Sequence, residues 1–125
     1  MPIPAAELGL LRGWLVAIAL FEVPTIGDCL LRDDRPLGGF WSTLRGAGPE
    51  RRCYSMVLTM LSLARLQAAW AAPDPAALWH NAAVHVVEAA MFGREYLRFG
   101  GRGSRPLLGV ITANAAWFLA CAARA

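Results

Sequence analysis

Two apolar stretches joined at Pro73-Asp74-Pro75 constrain this chain more than any other feature. The first, Cys53 to Ala72, carries Arg65 as its single charge. The second, Ala76 to Gly93, holds His85 and Glu88 within its apolar run. At ~1.5 Å per residue, roughly twenty helical residues cover the ~30 Å hydrocarbon core of a bilayer. Two prolines flanking an aspartate stop the first arm and permit a tight reversal. The pattern predicts a transmembrane hairpin.

The rest of the chain offers partners for it. A span from about Leu10 to Leu31 is the weakest, with Glu22 near its centre and Pro24 expected to kink it. A last span, Leu107 to Ala123, is short and should cross with little tilt. The chain has 125 residues, 57% of them hydrophobic and 17% charged, with a mean hydropathy of +0.43. A soluble domain this short exposes most of its surface and could not hide so many apolar side chains. The expected fold is therefore all-α: an integral membrane four-helix bundle in one domain, both termini on the same side. Its spans are about 10–31, 53–72, 76–93 and 107–123. Met1 to Gly9 reads as a short leading segment, and the first span as a retained helix. Only Arg12 precedes its apolar run, which Glu22 and Pro24 interrupt, unlike a signal peptide.

Charge sets the expected orientation. The basic residues are all Arg, and no basic stretch is interleaved with aromatics in the manner of single-strand binders. Arg32, Arg35, Arg45, Arg51, Arg52, Arg98, Arg102 and Arg105 fall on the side of the connectors after the first and third spans; the terminal side has Arg12 and Arg124. The positive-inside rule places the Arg-rich side in the cytosol and both termini in the lumen or exterior. Anionic lipid is a natural contact for such a face. The connector 32–52 is Gly-rich, with a short interfacial helix expected around Phe40 to Leu44.

Polar residues inside the spans demand partners. Asn81, His85 and Glu88 are spaced i, i+4, i+7 and share one helix face. Arg65 lies eight residues before Pro73 and His85 ten after Pro75, so a closed hairpin sets them at similar depth. An unpaired charge at the bilayer centre costs at least ~2.5–3.5 kcal/mol. The expectation is an Arg65–Glu88 pair, with Glu22 as the competing carboxylate. Such a cluster locks Ala-rich helices in register, with Ala64/Ala68/Ala72 and Ala82/Ala83/Ala90 as close-contact faces. Asn114 adds an interhelical hydrogen bond, and the tryptophans form an aromatic belt near the span ends.

Catalytic signatures are few. His80 and His85 with scattered acids fall short of a carboxylate-histidine metal site or a histidine-box oxygenase. Gly100-Gly101-Arg102-Gly103 lacks the GxGxxG spacing, and there is no GxSxG. Cys29, Cys53 and Cys121 show no metal-ligand spacing and read as small helix residues. No cofactor is expected. The alternative to a structural lock is a small membrane enzyme acting on a lipid, with Glu22, His85 and Glu88 lining an intramembrane pocket.

Leu11-Arg12-Gly13-Trp14-Leu15-Val16 resembles the opening of the first span in the ergosterol biosynthetic protein 28 family. Arg52-Cys53-Tyr54-Ser55 with Arg65 is similar to that family's Ala-Arg-Thr-Phe-Gly…Arg second span. Leu78-Trp79 resembles its Leu-Tyr start of the third span, and Glu95-Tyr96-Leu97-Arg98-Phe99-Gly100 its Glu-Leu-x-x-Tyr-Gly exit. The motifs occur in matching order along nearly the whole chain. This chain departs from the family at Val57, where members carry Trp, and at Met91, where they carry His.

The resemblance implies a multi-pass endoplasmic reticulum membrane protein of sterol biosynthesis. It would be a non-catalytic scaffold tethering sterol C4-methyl oxidase, sterol C3-dehydrogenase/C4-decarboxylase and 3-keto-sterol reductase. Arg51, Arg52, Tyr54, Glu95, Tyr96 and Arg98, at or near the Arg-rich face, are the expected partner contacts. Glu22, Arg65, His85 and Glu88 are expected to hold the bundle.

Overall fold

A computed structural model describes residues 2–31, 48–99 and 105–125. Among these residues there are four helices and no strand: α1 (Ala5–Leu31), α2 (Gly48–Ala71), α3 (Pro75–Phe99) and α4 (Arg105–Ala122). The expected interfacial helix at Phe40 to Leu44, with Arg32, Arg35, Arg45 and Arg102, lies outside the described residues.

Helix boundaries differ from expectation where local chemistry extends them. α1 begins at Ala5 rather than near Leu10, because Ala5 and Ala6 are strong helix formers and Glu7 suits a first turn. Its opening bond runs from the Leu8 amide to the Pro4 carbonyl at 2.9 Å. The helix continues through Pro24 to Leu31. α2 and α4 start earlier too, with Pro49 and Pro106 in first turns, where proline's missing N–H has no intrahelical partner to lose.

α1 and α4 are long and apolar enough to cross a membrane. α2 and α3 are equally helical but carry Arg65 and Gln67, and His80, Asn81, His85 and Glu88, which lower their hydropathy.

The turn between α2 and α3 is built as its residues dictate. The Asp74 amide donates to the Ala71 carbonyl at 2.9 Å, closing α2. The Asp74 carboxylate accepts the Ala77 amide at 2.9 Å and caps α3, with Pro75 at the first helical position. The Ala72–Pro73 peptide is cis. Arg12 of α1 donates to the Ala72 carbonyl, tying the first helix to the turn.

Beyond the turn the two arms diverge. α2 packs chiefly against α1 and α3 against α4, with far less contact between α2 and α3. The expected alanine seam between the arms is corrected accordingly. Ala64, Ala68, Ala72 and Ala82 are buried, but Ala83 and Ala90 are exposed. Alanine permits close approach without saying which neighbour approaches.

One core joins the helices near the turn: Leu11 and Leu15 of α1, Ala68 and Ala69 of α2, Leu78 and Ala82 of α3, and Phe118, Cys121 and Ala122 of α4. Arg124 donates to both Glu7 carboxylate oxygens, one bond measuring 2.8 Å, so the start of α1 and the end of α4 adjoin. Both chain ends thus lie at one end of the bundle. Trp14 Nε1 donates to Asn114 Oδ1 at 2.9 Å, joining α1 to α4 again. Part-exposed ion pairs contribute little. Glu7→Gln should accordingly leave global unfolding unchanged yet speed amide exchange in the last turn of α4. Unchanged exchange there would show that the pair does not hold the terminus.

Candidate functional site

The site grows from a heptad stripe on α2. Arg51, Ser55, Leu58, Ser62, Arg65 and Ala69 recur at three- and four-residue steps, and all are buried. On α3 the matching face is Asn81, His85 and Glu88, also buried. Glu22 projects from the middle of α1.

Arg65 is the centre. Its side chain is 4% exposed, and its planar fork reaches three partners at once. Nε donates to His85 Nε2 at 2.8 Å. Nη1 pairs with Glu22 Oε1. Nη2 donates to Glu88 Oε2 at 3.2 Å and Oε1 at 3.4 Å. Five fixed donors make arginine the residue suited to such convergence. The structure therefore gives Arg65 both carboxylates, where the sequence posed Glu88 and Glu22 as competitors.

The neighbours orient the cluster. Ser62 Oγ donates to Glu22 Oε2 at 2.8 Å. Because His85 Nε2 accepts from Arg65, the ring proton belongs on Nδ1, which donates to the Asn81 carbonyl at 2.8 Å. The His85 ring, fully buried, meets Phe118 of α4 edge-on at 4.6 Å and 74°. Side chains from all four described helices meet here. Both His85 nitrogens and the guanidinium are engaged within the protein, so acid–base chemistry by this group would first require breaking the lock. Among the described residues, no three His, Cys, Asp or Glu side chains are grouped to hold a metal ion.

Ser62 escaped the sequence reading. The signal was available: it lies three residues before Arg65 on the same face, and a small hydroxyl there can meet a carboxylate from another helix.

The residues expected on the partner face scatter. Arg51 is corrected from exposed to buried, at 1% exposure, because the α2 stripe carries it inward. Its Nη2 donates to the Asp28 carbonyl at 3.1 Å. Arg52 and Arg98 are exposed, whereas Tyr54, Glu95 and Tyr96 are half-buried. Tyr96 accepts a hydrogen bond from Arg105 Nε at 2.6 Å, linking α3 to the start of α4.

Beside the lock, the divergence of α2 and α3 leaves a groove of about 870 Å³. Its floor holds Leu58, Leu61, Ala64 and Phe92, and its rim Val57, Met60, Val87 and Met91. Glu88 lines it, but among the described residues Glu22 and His85 do not.

Fold and site together define a class: a small all-helical protein whose helices are pinned by an internal Arg–Glu–His cluster. No protein-family model, curated protein or solved structure matches the chain.

Proposed function

We propose that this is a multi-pass endoplasmic reticulum membrane protein, in which all four helices span the bilayer, and that it acts as a non-catalytic scaffold for sterol C4-demethylation. It holds sterol C4-methyl oxidase, sterol C3-dehydrogenase/C4-decarboxylase and 3-keto-sterol reductase together, as the resemblance to the ergosterol biosynthetic protein 28 family implies. The observation that carries the non-catalytic reading is the lock itself. Arg65, His85 and Glu88 are buried, and Arg65 joins them to the half-buried Glu22. The apolar exterior supports the membrane reading for the less hydrophobic helices as well. Met60, Leu63 and Trp70 of α2, and Val87 and Met91 of α3, are all exposed, and patches of this kind mark membrane or protein contacts.

Arg52 and Arg98 are the most exposed of the expected partner contacts, with Glu95, Tyr96 and Tyr54 beside them. Reversing the Arg52 charge should lower co-purification of the C4-methyl oxidase roughly tenfold, a loss of about 1.4 kcal/mol. Thermal unfolding in detergent should stay unchanged. Equal recovery with Arg52→Glu would remove Arg52 from the contact surface.

The groove beside Glu88 favours a second reading, a small membrane enzyme acting on a sterol or related lipid. That reading needs Glu22 and His85 to reach the groove as well, and it predicts lipid turnover by the purified protein alone. Absence of turnover with an intact fold would leave the scaffold.

A further inference from the structure

We infer that the first turn of α2, with the Arg51 guanidinium beside it, is a binding site for a phosphate group. The phosphate would accept from Arg51 Nε and Nη1 and from the amides of that turn. This inference requires only the junction of α1 and α2, and stands whether or not the protein tethers enzymes.

Arg51 sits against the polarity of its own helix. α2 begins at Gly48, so Arg51 falls in the first turn. The helix dipole is positive there and favours an acid over an arginine. The inward stripe of α2 nevertheless buries the Arg51 side chain completely. Its Nη2 donates to the Asp28 carbonyl at 3.1 Å. That carbonyl is one of the last four of α1, which lack a partner within their own helix. The bond ties the end of α1 to the start of α2 and accounts for one nitrogen.

Nε and Nη1 are buried with no hydrogen-bond partner among the described residues. Asp28 offers Arg51 its backbone carbonyl, and Glu22 is taken by Arg65. Glu50 and Arg52, on either side of Arg51, cancel in formal charge. One carbonyl does not offset the removal of a full positive charge from water; a buried charge needs a paired counter-charge.

The donors specify the counter-ion. Side chains on a helix lean toward its N-terminus, so the guanidinium lies over the first turn. The amides of Glu50 and Arg51 in that turn have no acceptor within the helix, and Pro49 has no N–H to offer. A tetrahedral phosphate reaches the guanidinium and the amides together, whereas a planar carboxylate fills the fork alone. Both nitrogens are shut off from solvent, so the ligand enters as the first turn of α2 draws away from α1. An anionic phospholipid headgroup and free inorganic phosphate share this chemistry.

The test uses the purified full chain in a maltoside detergent, which carries no phosphate. One arm titrates inorganic phosphate and the other dihexanoyl phosphatidylglycerol, each against sodium chloride at matched ionic strength. Calorimetry should show saturable binding, and the Arg51 amide and Nε–H resonances should move with the same midpoint. The arm with the lower midpoint identifies the source. Arg51→Met keeps the length but removes the donors, and should weaken binding about tenfold or more, the scale of one hydrogen bond to a charged group. Arg94→Gln removes the same charge from an exposed site on α3 and should change it by less than about twofold. Should Arg51→Met not fold, the resonances of the native chain decide. The inference is overturned by any of four results: no saturable binding in either arm; the same response to chloride; Arg51 resonances unmoved at saturation; or equal weakening by Arg51→Met and Arg94→Gln.

Discussion

Replacing Arg65 by Leu should destabilise the protein by about 3–5 kcal/mol, the range for removing one partner from a buried ion pair. The substitution strands Glu22 and Glu88 together in the interior and takes the donor from His85 Nε2. Thermal or denaturant unfolding in detergent reads the loss. Adding Glu88→Leu to Arg65→Leu should recover about 1–3 kcal/mol, because one of the stranded carboxylates is gone and the coupled sites are not additive. A single change no worse than the double would mean that the Arg65–Glu88 contact contributes nothing.

His85→Leu should be the next most damaging change, at about 2–4 kcal/mol. It orphans Arg65 Nε, a buried charged donor worth about 1–3 kcal/mol or more when left unsatisfied, and removes the side-chain bond to the Asn81 carbonyl. It also removes the edge contact with Phe118. His80→Leu is the matched control. That side chain is exposed on the same helix and should change stability by less than about 0.5 kcal/mol. Similar losses for the two histidines would contradict the placement of His85 at the centre of the lock.

Much of this was legible from local rules. The Pro73-Asp74-Pro75 turn follows from proline's stop and start preferences and from aspartate's capping chemistry. Helical spacing placed Asn81, His85 and Glu88 on one face, and counting residues from the turn set Arg65 beside them. The burial of Arg51 was also latent, since it continues the stripe of Ser55, Ser62 and Arg65. Its position near the Arg-rich connector made it look like a surface residue. The pairing of helices was not legible. Ala64 and Ala68 permit close packing with any neighbour, so nothing in the pattern chose α1 over α3. The groove depends on that choice, because it opens only where the hairpin arms lean outward. The early start of α1 shows a different limit. Hydropathy marks where a span becomes apolar, whereas Ala5, Ala6 and Glu7 decide where the helix begins.

If the chain is a scaffold, a lock in the middle is what it requires. Partner contacts act through a fixed outer surface, and four helices joined at one buried cluster present such a surface without a rearranging interior. The measurement that tests this account most directly is affinity purification of the tagged protein from its native membranes in mild detergent, with identification of the proteins that accompany it. The account predicts sterol C4-methyl oxidase together with the C3-dehydrogenase/C4-decarboxylase, both reduced when Arg52→Glu replaces the native chain. Recovery of the protein without either enzyme would contradict it.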